Sequence, residues 1–279
     1  MPLLHDVPGD LYRSWPGVHS GLLNEIARSP AHGRHYQLEG RKDTPALCLG
    51  RKTHYACLEP DKWREMWMLA KVGPMTKAFQ AAQDANPDRI VVTEDQQEAI
   101  NAMTMAVWDH PEARRILSAP GGIETCAQWT DAETGLPCKA RIDKFTGEHI
   151  LADLKTTLDA SPRKFLNAAI AYGYHRQAAW YRRGYREATG YTGPLPFRFI
   201  AVEKSPPYVV AVYEAIEDEL DIVDRENQKL LATWAGCQKT GTYPGYCETY
   251  RIMGLPEYAL RGDGLDLAIT LDGEELDHE

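Results

Sequence analysis

Two acidic residues and a lysine lie on what the sequence predicts to be two neighbouring strands. The segments CKARIDKF (138–145) and HILADLKTT (149–157) are joined by a Thr-Gly-Glu turn. Asp143 belongs to the first segment, and Asp153 and Lys155 belong to the second. Residues i and i+2 of a strand point to the same face, so Asp153 and Lys155 share a face and the hairpin brings Asp143 beside them. A chain with this hairpin folds with two carboxylates and an ammonium at one point.

The chemistry of these three groups favours a metal site. Carboxylate oxygens are the ligands that Mg²⁺ and Mn²⁺ prefer. Asp153 lies within the apolar run 150–154, where an unpaired carboxylate is costly to bury unless a cation accompanies it. A partly buried salt bridge between Asp153 and Lys155 or Arg141 would meet the same cost, and the local sequence leaves both interpretations open. A cluster of this kind serves metal-assisted hydrolysis of a phosphodiester.

The segments around the hairpin predict the order helix, three strands, long helix, two strands. A strand over 123–131 precedes the hairpin, and Ser161-Pro162 has the form of a helix start. About 25 residues of helical pattern follow, over 163–189. Two further strands are predicted over 196–204 and 208–215. This order indicates an α/β fold.

The remainder of the chain predicts an N-terminal helical part and an acidic tail. Residues 61–119 have helical patterns, and the helix that starts near Thr93 opens with a Thr93 and Gln96 capping pattern. We expect a single domain over 1–261, with a helical part over about 1–120 and a catalytic core over about 121–260. The acidic residues after Arg261 predict a mobile tail over 262–279.

At this point the chain resembles a known family. The strand order, the spacing of Asp143 and Asp153-Leu-Lys155, and Gln177-Ala-Ala-Trp-Tyr181 resemble the PD-(D/E)XK nuclease superfamily. Within it, the chain is most similar to the exodeoxyribonuclease VIII (RecE-type) branch of phage and prophage recombination exonucleases. The segments that carry this closer resemblance are CKARIDK, ILADLKTT, YGYHRQAAWY, FRFIAVEKSPPY, GRKTH with LEP at 50–60, and SPAH at 29–32. The resemblance implies a restriction-endonuclease-like core, a mixed central sheet flanked by helices.

The resemblance also implies a set of metal ligands. Asp143 and Asp153 match the metal-binding aspartates of the family, and the carbonyl of Leu154 matches a backbone ligand. His54 matches a histidine that adds an imidazole to the metal shell; without the motif it would be read as a surface or capping histidine. The implied cofactor is Mg²⁺, for which Mn²⁺ can substitute. No iron–sulfur cluster is expected, because the six cysteines lack close spacing.

Four further side chains take catalytic roles by the same resemblance. Lys155 would position or help deprotonate the attacking water and offset charge on the phosphate, for which arginine is a poor substitute. Gln177 and Tyr181 are one helical turn apart and would hold Lys155 or the scissile phosphate. Glu124 stands where the family often carries an upstream acid.

The charge of the chain needs explanation in a protein that binds DNA. The net charge is −9, but the last 18 residues carry seven acidic side chains and no Lys or Arg. Residues 1–261 are therefore left with a net charge of −2. Basic side chains crowd the long helix and the N-terminal third, as phosphate binding requires, although a charged helix face is often only solvated. The candidates for contact with DNA are Arg141, Arg163, Lys164, Tyr174 and Arg176.

Taken together, these features predict a Mg²⁺-dependent double-strand DNA exonuclease. By resemblance it digests 5′ to 3′, leaves 3′ overhangs for a RecT-like single-strand annealing partner, and forms a homo-oligomer, with a tetrameric ring as one form. The alternatives are a related nuclease of other polarity or endonuclease habit, Cas4-like or restriction-type, and a non-catalytic DNA-binding module of the same fold. The sequence contains no stretch of about 18 apolar residues and no signal peptide, so we expect no membrane association and a cytoplasmic location.

Overall fold

The structure is a computed structural model that describes residues 2–73, 76–86, 88–255 and 260. The chain divides into two compact units, residues 1–243 and 244–279. The first unit contains the helices and strands named below. The acidic tail predicted over 262–279 lies outside the described residues.

A five-stranded mixed sheet forms the centre of the first unit. Its order is β3-β4-β5-β6-β7, with β5 and β6 parallel and the other neighbours antiparallel. A separate parallel pair is formed by β1 and β2. The strands are β1 (Trp67–Leu69), β2 (Ile90–Val92), β3 (Gly121–Thr130), β4 (Pro137–Thr146), β5 (Leu151–Thr157), β6 (Phe197–Glu203) and β7 (Val210–Ala215).

Helices cover both faces of this sheet. Those before it are α1 (Gly9–Ser14), α2 (Ser20–Arg28), α3 (Pro30–Glu39), α4 (Pro45–Leu58), α5 (Pro60–Met66), α6 (Lys77–Asp84), α7 (Glu94–Asp109) and α8 (Pro111–Ser118). Those within and after it are α9 (Pro162–Ala171), α10 (Tyr174–Thr189) and α11 (Glu217–Thr240). Among the described residues, no helix combines the length and the apolar character needed to span a bilayer.

Two apolar clusters pack against opposite faces of the sheet. Phe197 and Phe199 of β6 join a cluster with Trp180 of α10 and Trp234 of α11. The alternate residues of the same strand, Ile200 and Val202, face a second cluster built mainly by α4, α7 and α8. A strand with apolar side chains on both faces is buried in the centre of a sheet. This arrangement places β5 and β6 inside the protein, together with the buried Asp153 and the partly buried Lys155 on β5.

The helix predicted over 163–189 is two helices, so that prediction was wrong in its continuity. The chain breaks at Tyr172 and Gly173, and Gly173 has a left-handed backbone with φ of 70°. A Cβ atom at Gly173 would lie 2.2 Å from Oδ1 of Asn24 on α2, and the Asn24 amide donates to the carbonyl of Tyr172 at 3.1 Å. Close packing against α2 therefore requires glycine there, and it reorients α10 relative to α9.

Other parts of the helical prediction also need correction. The segment 61–72 is helical only in α5 and continues as β1. The pattern that follows Thr93 is interrupted at His110 before Pro111, because a proline disfavours helical geometry in the residue before it. The capping box of Thr93 and Gln96 is confirmed. Helix α11 was not predicted.

Candidate metal centre

Three acidic residues form a row across three adjacent strands. The pairs Ile123↔Lys144 and Thr125↔Ile142 place Glu124 opposite Asp143 in the register of β3 and β4. The pairs Lys144↔Ala152 and Phe145↔Leu151 place Asp143 opposite Asp153 in that of β4 and β5. Carboxylates that face one another across strands repel, so the row destabilises the sheet unless cations or donors accompany it.

The side chain of Asp143 takes the place of backbone pairing between β4 and β5. The paired residues of these strands stop at Lys144 and Ala152. Beyond that point the amide of Leu154 donates to Oδ2 of Asp143 at 3.0 Å. The carboxylate therefore sits between two strands, with its position fixed by the backbone of the strand that carries Asp153.

Helix α4 brings His54 to the same point. Nδ1 of His54 lies 3.3 Å from Oδ2 of Asp143. Donor atoms of His54, Glu124 and Asp143 all lie within 4.8 Å of one another. Burial lowers the pKa of His54 to about 4, while Asp153 and a backbone hydrogen bond with Leu154 act to raise it. The imidazole is therefore neutral near pH 7, as a metal ligand must be.

Lys155 lies in a cage of polar and aromatic groups. Its Nζ is 2.6 Å from Oδ2 of Asp153 and donates to Oε1 of Gln177 at 2.8 Å. The same atom lies 4.6 Å from the centre of the Tyr174 ring, a cation–π distance. Burial acts against the charge of Lys155, but the carboxylates of Asp153 and Asp143 outweigh it and raise the pKa. The side chain is an ammonium at neutral pH.

Gln177 is held in turn by Tyr181. Its Nε2 donates to the Tyr181 hydroxyl at 2.8 Å, so the amide oxygen is turned toward Lys155. Burial and the nearby Asp143 raise the pKa of Tyr181 well above its usual value. The structure thus brings Gln177 and Tyr181 to the lysine side of the cluster, on the first two turns of α10.

The buried carboxylate of Asp153 supports the fit of the cluster to a divalent cation. The side chain of Asp153 is 1% exposed, and its Oδ2 is held in an ion pair with Nζ of Lys155. Three carboxylates, those of Asp153, Asp143 and Glu124, lie beside a neutral imidazole, and such a donor set is of the kind that holds a divalent cation.

The raised pKa values of Asp143 and Glu124 also support a cation site. Burial raises the pKa of Asp143 well above its usual value, and the charges of Asp153 and Glu124 add to the effect. Burial also raises the pKa of Glu124, against the opposing effect of Arg141. Acids that resist ionisation together are expected where a cation normally supplies the compensating charge.

The sequence-based prediction placed Glu124 among the catalytic acids and not among the metal ligands. The structure groups its carboxylate with His54 and Asp143, whereas the carboxylate of Asp153 is turned toward Lys155. The register of β3 against β4 is the signal that could have identified Glu124. That register depends on the pairing of residues across the turn at 131–136.

The residues predicted to contact DNA are in different environments. Arg163 and Lys164 are exposed on the first turn of α9. Tyr174 covers Lys155, and the carbonyl of Arg176 accepts a hydrogen bond from Asn227. Arg141 is partly buried and forms an ion pair with Glu124. The structure therefore leaves the guanidinium of Arg141 facing the acidic row.

A family match decides the classification of this fold. Residues 20–255 match a family described as a PDDEXK-like domain of unknown function (DUF3799). The chain belongs to this family. The match confirms the predicted membership of the PD-(D/E)XK superfamily, and the mixed five-stranded sheet flanked by helices confirms the predicted fold class. Among the curated proteins, none matches this sequence.

Solved structures resemble this PDDEXK-like chain with low sequence identity. The crystal structure of a "Putative exonuclease" from Eubacterium rectale has a TM-score of 0.59 and 15% identity, and the match covers 92% of this chain and 97% of that chain. An alkaline exonuclease from Laribacter hongkongensis has a TM-score of 0.28 and 15% identity, with coverage of 68% and 97%. The first similarity shows a shared fold, and the second carries no argument.

Proposed function

We propose that this protein is a Mg²⁺-dependent deoxyribonuclease that digests double-stranded DNA from its ends. The observation that carries the proposal is the row of Glu124, Asp143 and Asp153 beside Lys155 and His54. Mn²⁺ can substitute for Mg²⁺. The family match and the exonuclease description of the Eubacterium rectale protein support this choice.

Each side chain of the cluster has a role in this proposal. Asp143, Asp153, Glu124, His54 and the carbonyl of Leu154 would hold the cation, which when bound polarises the phosphate and lowers the pKa of water.

Lys155 would act as a positioned charge. Because Asp153 and Asp143 raise its pKa, it keeps its proton near pH 7 and acts less as a base than as an ammonium that offsets charge on the phosphate and orients the attacking water. Gln177 fixes the direction of the ammonium, and Tyr181 fixes the amide of Gln177. Water is excluded around Asp153, which strengthens these interactions.

The proposed biological role is based on the resemblance of the sequence to RecE-type recombination exonucleases. We propose digestion in the 5′ to 3′ direction, with 3′ overhangs passed to a RecT-like single-strand annealing protein in recombination. A homo-oligomer that surrounds DNA, with a tetrameric ring as one form, would keep the enzyme on its substrate. Arg163, Lys164 and Arg176 on α9 and α10 are the basic residues proposed to contact the DNA backbone.

Digestion of end-labelled DNA tests the proposal. Linear duplexes labelled at either the 5′ or the 3′ ends, and a covalently closed circle, are incubated with Mg²⁺ or with EDTA. We expect release of the 5′ label as mononucleotides, with Mg²⁺ only, and an intact circle. Early loss of the 3′ label would show digestion in the 3′ to 5′ direction instead, and cleavage of the circle would show that the enzyme is an endonuclease.

Matched variants separate the cluster from a contaminating nuclease. Asp153→Asn should abolish digestion, since it removes a charged ligand at a buried position. Asp159→Asn is the control, because Asp159 lies six residues further along the chain, just beyond β5, and its Oδ1 accepts a hydrogen bond from the amide of Ser161 at 2.8 Å. Equal activity of Asp153→Asn and wild type would refute the proposed site.

A further inference from the structure

Arg141 on β4 is paired with an acidic side chain inside the protein, whereas a residue that contacts DNA would be exposed. Nε of Arg141 donates to Oε2 of Glu124, and the two side chains are only 16% and 17% exposed. Arg141 and Asp143 are two residues apart on β4, so they share a face of the strand. The guanidinium is therefore directed along the acidic row, next to the carboxylate that approaches His54.

Glu124 needs such a partner because its backbone is unusual. Its φ is 48°, in the left-handed region, which is unfavourable for a residue with a side chain. A residue in this conformation keeps it only where surrounding contacts determine its position. The bond from Arg141 engages one carboxylate oxygen of Glu124 and leaves the other for a cation.

The N-terminal segment fixes Arg141 in turn. Nη1 of Arg141 donates to the carbonyl of Val7 at 3.0 Å, and its guanidinium lies 5.9 Å from the centre of the Tyr12 ring. Leu4 exchanges two backbone hydrogen bonds of 2.9 Å with Cys126 of β3. The segment is thus tied to the strand that carries Glu124.

Lys139 completes this anchor on the same face of β4. Its ammonium donates to the carbonyls of Tyr12, Arg13 and Trp15 at 3.0, 3.2 and 2.6 Å. Each of these carbonyls lies at the carboxyl end of α1, where a cation is favoured. The contacts of Lys139 and Arg141 together hold residues 4–15 against the sheet edge beside the cluster.

We propose that Arg141 is a positioning residue that holds Glu124 in place as a metal ligand, and that the N-terminal segment 4–15 supports it. This inference rests on the proposed metal-dependent function. Arg141 touches neither the cation nor the DNA in this proposal. It acts through the carboxylate of Glu124, whose placement it determines.

Metal binding gives the direct test. Calorimetric titration of metal-free full-length protein with Mg²⁺ should show that Arg141→Met weakens affinity by about 10–100-fold, the usual effect of removing a partner of a metal ligand. Arg141→Lys keeps the positive charge but lacks the several N–H donors of the guanidinium. The Mg²⁺ affinity of this variant should therefore lie between those of wild type and Arg141→Met. If Arg141→Met does not fold, the comparison is made with Arg141→Lys, and wild-type affinity in that variant overturns the proposal.

Arg198→Met is the matched control for loss of a bridging arginine. Arg198 lies on β6 with a side chain 20% exposed, and it donates to Glu214 at 2.7 Å and to Glu112 at 2.8 Å. Neither carboxylate belongs to the metal cluster. This variant should lose stability without a change in Mg²⁺ affinity, and a loss of affinity equal to that of Arg141→Met would overturn the proposal.

A double variant shows whether Arg141 acts through Glu124. Glu124→Gln should weaken Mg²⁺ binding, and Arg141→Met added to it should change the affinity by less than about twofold, because the two residues act as one unit. Additive losses would overturn the proposal. So would weaker DNA binding in EDTA by Arg141→Met at unchanged Mg²⁺ affinity, which would make Arg141 a phosphate contact.

These measurements remain separate from the test of the nuclease itself. A wild type that binds Mg²⁺ but digests no DNA would refute the proposed function and leave the positioning role of Arg141 open to the same titration. A wild type that digests DNA, with Arg141→Met binding Mg²⁺ as tightly, would refute the positioning role alone.

Discussion

Replacing Asp143 by asparagine should stabilise the metal-free protein. Burial, Asp153 and Glu124 raise the pKa of Asp143, so the folded protein binds this proton more tightly than the unfolded chain. A raised pKa of the folded state contributes stability at low pH, which is lost as the pH rises through that pKa. Without metal, at a pH well above the usual pKa of an aspartate, the carboxyl group of Asp143 therefore destabilises the fold, and the neutral amide of asparagine removes that cost.

The geometry gives the size of the effect. Donor oxygens of Asp143 and Glu124 lie within 4.8 Å, where two unit charges repel by about 3 kcal/mol at an effective dielectric constant of about 20. The lost attraction to Lys155 and the weaker bond to the amide of Leu154 reduce the gain. We expect Asp143→Asn to raise the free energy of unfolding by about 2 kcal/mol, which corresponds to ~4–8 °C in melting temperature.

Thermal unfolding at two pH values, with EDTA and with Mg²⁺, is the assay. The gain should shrink as the pH falls toward the usual pKa of an aspartate, because the unfolded chain then also takes up the proton. With Mg²⁺ at about 100 times its dissociation constant, wild type gains about 2.7 kcal/mol, whereas the variant has lost a charged ligand and gains less. The order of stability should then reverse.

Asp131→Asn is the control for this perturbation. Asp131 is buried like Asp143, but it accepts hydrogen bonds from the Thr134 amide at 2.9 Å and the Thr134 hydroxyl at 2.7 Å. Its replacement should lower the free energy of unfolding by about 1 kcal/mol, with or without Mg²⁺. A similar decrease in the free energy of unfolding for Asp143→Asn, in EDTA at pH 8, would refute the repulsion of Asp143 by Asp153 and Glu124. The argument for the metal site depends on that repulsion.

Three further predictions concern the other side chains of the cluster. Lys155→Met should reduce the rate of DNA digestion at saturating Mg²⁺ by about 10²–10³-fold and leave calorimetric Mg²⁺ affinity nearly unchanged; a variant that cannot bind Mg²⁺ would contradict this division. Gln177→Leu should give a smaller rate loss, up to about 10²-fold, because Lys155 keeps its charge but loses its orientation. Steady-state kinetics should place the loss in kcat; a change in KM alone would argue for a DNA contact. His54→Gln should weaken Mg²⁺ binding at pH 8. In EDTA, because the pKa of His54 in the folded state is about 4 and lies below its usual 6.5, wild type should lose stability relative to this variant as the pH falls from 6.5 to about 4; parallel stability curves would show that His54 is not buried at the cluster.

Some of the site could be predicted from sequence because the residues are neighbours along the chain. Asp143, Asp153 and Lys155 lie on one hairpin, where alternation along the strands fixes which side chains share a face. Gln177 and Tyr181 are one turn apart on α10, and the structure joins them by a hydrogen bond. In these cases local geometry is enough, since no contact with a distant segment is needed to define it.

Two of the missed features depend on contacts between distant segments. The break between α9 and α10 arises because Gly173 packs on Asn24, and a helical pattern in sequence carries no record of that contact. The strand β1 continues from α5 because its residues pair with β2. Propensity is a weak guide at such points, where tertiary packing decides between helix and strand.

The sequence by itself therefore determined the hairpin, the carboxylates and lysine on it, and the family to which the fold belongs. Only the tertiary structure decided that Glu124 joins His54 and Asp143, that Asp153 turns toward Lys155, and that Arg141 faces an acid. The physical reason is that strand register and helix packing set distances between residues far apart in the chain, and a difference of a few ångströms separates a metal ligand from a solvated side chain.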